Sequence, residues 1–463
     1  MEIVWFCGKN MGKTLIADEK LTEYVNALIA KKEFIVGLLI GQETASKTYV
    51  IHITRTPEPV EDSKKEQKKI TKKQGLEDVD ETLLADHARQ VVRMLPGGIH
   101  ILGIFVVTPE DPFQGTQNVS RLRKTLTAIK TVLESSPFIS QTKISPERAV
   151  LHICSLTHKL TCKSIDISSP IASARPADFK FQNGGGTPWL ELDASLLLDL
   201  GFPISKAECQ RTLRQQLEDS LSAYSSTLQK ALILFDDSLR EESSEMLLQT
   251  TSKEGKKKNK AAAALEEPLK TVQVHFLVPD IERTTQVKDC VTELRFSGKM
   301  CVKAFVHAKA TVEDGFLALR EDVLRSLWAR CEMHCDSLVS DEEQRGISEE
   351  RSVLHEPPRR VIAPLPYSVV TVSDYLFPGE GPSDSLPSLA ELLDLNCNEG
   401  DVQDDWESPA ELENVSLPDV SVNAPPPEVT SDVCNPTTII IAGLVGFVAT
   451  LLSYFMLQNL QSS

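Results

Sequence analysis

Positive charge is what this sequence has least of, and the shortage is uneven. The chain holds 49 Lys and Arg against 66 Asp and Glu, a formal charge of −17 over 463 residues. From Val361 to the end there is no Lys or Arg at all. Nucleic-acid binding needs a basic face to displace counterions from phosphate, so that class of partner is not expected. Paired cysteine spacing is also missing. The ten cysteines are scattered, which argues against a disulfide scaffold. No secretory leader is expected: Met1–Cys7 is apolar but short, with no small-residue cleavage site. Reduced thiols on the cytosolic side are therefore expected. Met11-Gly12 begins an alternative start, but Ile16 is neither Ser nor Thr, so myristoylation is not expected.

One long apolar run is present, and it comes last. Ile439–Leu457 holds no charge. A helix needs roughly 20 apolar residues to cross the hydrocarbon core, and a helix satisfies its own backbone there. With only Gln458–Ser463 behind it, this segment reads as a late-inserted transmembrane anchor. The competing reading is a buried core helix. Residues 378–435 are acidic, rich in Pro and Ser and poor in aromatics, the composition of a disordered stalk. Within it, Ser388–Leu395 reads as an acidic amphipathic turn that folds on a partner, or else stays solvated. The lack of cationic flanks fits the endoplasmic reticulum better than strongly anionic surfaces.

The rest reads as two folded modules, 11–185 and 186–377, of α+β class. Leu21, Val25, Leu28 and Ile29 make the stripe of an amphipathic helix over Asp18–Lys31. Phe34–Ile40 and Tyr49–Thr54 read as a hairpin. Asp80 caps a helix that runs to Leu95 and is stopped by Pro96-Gly97-Gly98. Ile99–Val107 is a buried strand, Val119–Leu133 a helix, and Val150–Ser155 with Leu160–Ile167 a second hairpin. That order implies a mixed sheet. In the second module, Ser205 and Glu208 have capping-box spacing ahead of a stripe from Leu213 to Phe235. A linker is expected over 241–268, then strands at Val272–Val278 and Met300–His307, a helix over Glu313–Cys335, and strand character over Val361–Val372.

Chemical motifs are few. Gly12-Lys13-Thr14 lacks the first glycine of a phosphate-binding loop, since that position is Cys7. Cys331, His334 and Cys335 share a helix face, but zinc needs about four ligands and no second pair is placed nearby; core packing explains Cys331 as well. His152 and Cys154 alternate on one strand, where a Cys–His pair can activate a thiolate and where simple burial also accounts for them. His52, His100 and His307 lie in apolar strands and read as satisfied core histidines in preference to metal ligands. Asn118 and Asn414 open glycosylation sequons that matter only in an inverted topology. Asn183–Gly186 reads as a loop. A membrane-bound hydrolase, metal- or cysteine-dependent, remains the alternative to a non-enzymatic binding protein. Ser173–Asp178 follows a hairpin, where loops carry function, so Arg175, Pro176 and Asp178 are candidate partner contacts. A turn held by an Arg salt bridge is the plainer account.

Two resemblances bear on this. Val36–Gly41 and Leu95–Gly103 leading into Ile104–Pro109 resemble an MPN (Jab/MPN) domain. In metal-dependent members of that fold this strand supplies zinc ligands. The corresponding positions here are Val106 and Thr108, with Thr116 and Val119 at the Ser and Asp positions. The resemblance thus implies a pseudoenzyme with no metal or other cofactor. Over most of its length the chain resembles the odorant-response-abnormal (odr-four) family of membrane proteins. The segments that carry this are Gly37–Gln42, Arg55-Thr-Pro57, Arg93–Gly98, Leu151–Cys154, Ser173–Asp178, Arg330–Met333 and Pro364-Leu-Pro366, with the terminal apolar segment. The resemblance implies an adaptor of the endoplasmic reticulum membrane that acts in trafficking or maturation of some G-protein-coupled receptors. It also implies, for some members, a tether for a ubiquitin-fold-modifier-specific cysteine protease.

Overall fold

The computed structural model describes residues 13–58, 75–139, 145–182, 189–208, 210–240, 245–247, 269–279, 290–345 and 357–407. The expected apolar span Ile439–Leu457, the stalk beyond Glu407, most of the 241–268 linker and Asn183–Gly186 lie outside these residues. No helix among the described residues is long and apolar enough to cross a membrane.

The architecture is α+β. Its first half is a closed seven-stranded barrel. Strands β1 (Thr14–Asp18), β2 (Ile35–Glu43), β3 (Thr48–Arg55), β4 (His100–Thr108), β5 (Glu147–Cys154), β6 (Leu160–Asp166) and β7 (Arg175–Gln182) run in the order β1-β3-β2-β4-β5-β6-β7, and β1 pairs with β7 to close the ring. The β2–β3 and β5–β6 hairpins lie where the sequence pattern puts them. Strands β1 and β7, which close the barrel, were not expected.

Helix α1 (Leu21–Ala30) buries Leu21, Val25, Leu28 and Ile29 with Leu39, Val50, Phe105 and Leu151. Helices α2 (Glu81–Met94) and α3 (Thr116–Leu133) pack with a second set of buried side chains that includes Leu38, Ile104 and Val106. Asp80 caps α2 as expected, accepting from the N–H groups of Thr82 and Leu83.

The second sheet joins β8 (Trp189–Ser205), β9 (Leu232–Phe235), β10 (Ser238–Leu239), β11 (Lys270–Leu277) and β12 (Cys290–His307) in the order β10-β9-β11-β8-β12. Apolar side chains alternate along β8 and bury one face, against α4 (Leu213–Leu228) and α5 (Val312–Arg345). Ser205 is the last residue of β8 and caps no helix. Thr212 and Gln215 form the capping box of α4. The helix ends at Leu228, so Leu232 and Phe235 lie on β9. The apolar core on the α2–α3 side of the barrel is continuous with that of this sheet, across the boundary expected near residue 185.

The expected stalk is folded over its first part. After the β13 (Arg359–Pro364) and β14 (Thr371–Leu376) hairpin, residues 378–407 pack against the body. Helix α6 (Pro382–Leu393) and the turn behind it bury Leu389, Leu393 and Leu395 to 0, 0 and 2% exposure. Burying each leucine is worth about 1.5–3 kcal/mol, which overrides the disorder-like composition. Ser388–Leu395 therefore docks on its own chain. Gln403 then pairs with Ile362, and Glu407 ends the described segment inside the core.

Candidate functional site

The densest polar construction is the seam between barrel and second sheet. The Leu95–Gly98 turn that follows α2 inserts against β12 and α5. Gly97 N–H donates to the Lys303 carbonyl at 3.1 Å, and Phe305 N–H donates to the Gly97 carbonyl at 2.9 Å. Only glycine fits both positions: a Cβ on Gly97 would stand 1.9 Å from the Ala318 carbonyl oxygen, and Gly98 has φ +79°. Arg325 Nη1 donates to the carbonyls of Leu95 and Pro96 at 2.9 and 3.0 Å. Gln42 donates to the carbonyls of Gly98 and Phe305 and accepts from His307 N–H.

Behind the turn, Asp322 accepts from Arg360 Nη1 and Nη2 at 2.7 and 2.9 Å, and both residues are 1% exposed. Glu407 accepts from Cys301 N–H, Arg360 N–H and Arg330 Nη2 at 2.8, 2.8 and 2.7 Å. Burial opposes charge on both arginines, but Asp322 and Glu407 outweigh it and hold Arg360 and Arg330 above their ordinary values. Opposite charges this close in a dry interior fix register. Segments that carry the family resemblance thus meet here, and their visible role is to join the two halves.

The positions expected from the MPN resemblance are apolar or occupied. Val106 is fully buried. Thr108 uses its carbonyl to accept from His152 Nε2 at 3.0 Å. Thr116 opens α3 and Val119 follows within its first turn. Neither Val106 nor Thr108 offers a soft or anionic ligand, so the donor set does not fit zinc. Cys331 packs in the core, where burial pushes its thiol up, and burial pushes Cys335 up to about 11. Cys154 differs: hydrogen bonds from Thr157 hold its thiol below the ordinary range.

Arg175, Pro176 and Asp178 are not on a loop. They lie on β7, where Pro176 is paired with Lys163 of β6 and Asp178 with Thr14 of β1. All three are exposed. Arg175 Nη1 meets Glu147 Oε1 at 2.7 Å, so the plainer salt-bridge account describes its local role.

A recess that sequence reasoning missed lies where α1 meets the end of α6. About 390 Å³ in volume, it is lined by Tyr24, Lys31, His52, Tyr367 and Asp394 among others. Tyr24 OH donates to Asp394 Oδ2 at 2.6 Å, and Arg55 Nε lies 3.2 Å from Oδ1. Burial, then Asp394, pushes the Tyr24 phenol up. Asp394 sits at φ +52° as the C-cap of α6, a conformation that Asp tolerates better than most residues. Pro366, from one resemblance segment, borders the recess, and Arg55 belongs to another. No spacing in the sequence links residues 370 positions apart.

A family model described as "ODR4-like: Odorant response abnormal 4-like" matches residues 37–404. The chain belongs to the ODR4-like family. The "Protein odr-4 homolog" of Homo sapiens is 32% identical over 390 residues, covering 83% of this chain and 84% of that protein. The "Odorant response abnormal protein 4" of Caenorhabditis elegans is 23% identical over 470 residues, covering 96% and 93%. A crystal structure of UfSP from C. elegans aligns with a TM-score of 0.42 at 11% identity, over 83% of this chain and 57% of that one; likeness at that level assigns nothing further. The match of this ODR4-like chain to its family ends close to where the described body ends, and it includes α6 and the strap to residue 404.

Proposed function

We propose that this ODR4-like chain is a tail-anchored adaptor of the endoplasmic reticulum membrane. Its body faces the cytosol and binds other polypeptides, and Ile439–Leu457 holds the pair at the bilayer. The role is in trafficking or maturation of a subset of G-protein-coupled receptors, together with tethering of a ubiquitin-fold-modifier-specific cysteine protease. The observation that carries this is the uncharged Ile439–Leu457 segment of an ODR4-like chain. The name of the C. elegans relative, Odorant response abnormal protein 4, supports a role in the response to odorants. The apolar side chain of Val106, where related folds hold a metal, supports binding over catalysis. Exposed Arg175, Pro176 and Asp178 on β7 are the candidate contacts. The test is removal of the chain from cells, followed by measurement of receptor density at the cell surface. Rescue by the full chain, and not by a chain ending at Asn435, supports the reading. Unchanged surface density refutes it.

One observation favours a second reading, a cytosol-facing membrane-bound hydrolase. Hydrogen bonds from Thr157 lower the buried Cys154 thiol from its ordinary value, the direction that favours a nucleophile. Its neighbour His152 is bonded to the Thr108 carbonyl, and the Cys154 thiol itself donates toward the Pro109 carbonyl at 3.6 Å. A thiol-directed activity probe that labels Cys154 and blocks turnover would establish this reading over the adaptor.

A further inference from the structure

Three arginines from two helices converge on one buried carboxylate. Glu332 of α5 is 1% exposed. Arg89 Nη1 lies 3.4 Å from its Oε1 and Arg93 Nε lies 3.0 Å from its Oε2, both arginines coming from α2. Arg214, in the first turn of α4, also contacts Oε1. Arg89 and Arg93 are four apart on one helix, a like-charge pair that destabilises a helix unless an anion compensates. Asp336 is the other carboxylate that Arg93 feels. Among the described residues, three guanidinium groups therefore face Glu332, and Arg93 alone also feels Asp336, in a chain whose total charge is −17.

Among the described residues the surplus at this junction is positive, and it reaches solvent. Arg214 is 46% exposed and Arg89 is 25% exposed, while Arg93 is 11% exposed. Arg214 stacks over the ring of Trp328 at 5.4 Å, which limits where its guanidinium can go. Trp328 is 1% exposed, and its indole N–H has no acceptor among the described residues. The positive end of α4 adds to the same neighbourhood. Burial first, and then Arg89 and Arg214, lowers the Arg93 guanidinium to about 10. Arg89 and Arg214 thus oppose charge on Arg93, and a further anion would relieve it.

We infer that Arg89, Arg93 and Arg214 form a binding site for a phosphate-class oxyanion, free or as a monoester, at the junction of α2, α4 and α5. Guanidinium forks match tetrahedral oxyanions through paired, charge-assisted hydrogen bonds. Glu332 holds the three arginines in place from below. The anion takes the solvent side, where Arg89 and Arg214 remain open. This inference stands apart from the adaptor reading, since it rests on the charge balance of the body alone.

The test uses the full chain in a neutral detergent and follows inorganic phosphate by phosphorus NMR. Sodium chloride of equal ionic strength serves as the control, and O-phosphoserine is the second probe. Saturable binding that chloride does not mimic is expected. Losing one charge-assisted bond weakens binding by about tenfold or more, so Arg214→Gln is expected to show at least that loss. Because Arg214 is half exposed, the variant should keep its thermal midpoint in chloride; Arg89→Gln gives an independent variant should it not. Tighter binding of O-phosphoserine would name a phosphorylated side chain as the source, and binding of inorganic phosphate alone would name the free ion. Equal effects of phosphate and chloride, or binding unchanged in both variants, would overturn the inference.

Discussion

His52 of β3 donates from Nε2 to the carbonyl of Leu393 at the end of α6, 2.7 Å away and 341 positions later in the chain. A carbonyl only accepts, so Nε2 carries the proton. His87 of α2 does the same for the Leu392 carbonyl at 2.8 Å, and Thr54 Oγ1 adds a bond at 3.0 Å. The last carbonyls of a helix have no partners within it. Here β3 of the barrel and α2 supply them. His52→Ala should therefore destabilise the body by about 2–4 kcal/mol, through a lost buried side chain and an orphaned carbonyl. Amide exchange should rise first over 382–395, measured by mass spectrometry. Protection unchanged in that stretch would show that α6 is held by its leucines alone.

The Asp322–Arg360 pair makes a different prediction. Both partners are buried, and removing one strands the other. Asp322→Ala and Arg360→Ala should each cost about 3–5 kcal/mol. The double variant should cost clearly less than their sum, because neither charge is then left alone. Denaturant melts of all four proteins measure this. Additive losses would mean that the pair does not act as a unit.

Stability should also depend on pH through Asp374. Burial raises its carboxyl to about 6, while the Ser388 hydroxyl bonded to it pulls the other way. The folded form thus holds a proton at pH values where the unfolded form has released it. As pH falls from about 6 toward about 4, this group adds stability, and as pH rises it is lost. Each tenfold gain in proton affinity on folding corresponds to about 1.4 kcal/mol, so the group adds about 2–3 kcal/mol. His52 works in the opposite sense. Burial lowers its imidazole to about 4, so what it contributes at neutral pH is lost as pH falls below about 6.5. The stability of the parent chain relative to Asp374→Asn should therefore rise by about 2–3 kcal/mol as pH falls from 7 to 4. A constant difference would contradict the raised carboxyl.

Arg175 separates structure from contact. Its bond to Glu147 lies in water, with the arginine side chain 59% exposed, and such pairs contribute about 0–1 kcal/mol. Arg175→Ala should leave the melting curve nearly unchanged. If β7 is the docking face, the variant should lose most of its co-purifying partner. Full retention of the partner would move the contact elsewhere.

Much of the body was legible from local pattern. The stripe of α1, the Asp80 cap and the β2–β3 hairpin follow from spacing alone, because each is decided within a few residues. β7 was not legible. Its Phe179 and Phe181 are half-buried and alternate with polar neighbours, but Pro176 and the exposed Arg175 and Asp178 give it the look of a loop. α6 was hidden for another reason. Composition averages over a window, whereas Leu389, Leu393 and Leu395 are decided by a surface that the barrel supplies. The recess at Tyr24 and Asp394 is a product of closure and has no signature in either segment. Val106 was legible as a position without a metal ligand from its identity alone.

Purifying the full chain from solubilised endoplasmic reticulum membranes, beside a chain ending at Asn435, is the most direct test of the adaptor reading. That reading predicts that a G-protein-coupled receptor co-purifies with the full chain, and that the shortened chain leaves the membrane fraction. Recovery of the full chain from the soluble fraction with no receptor attached would contradict it.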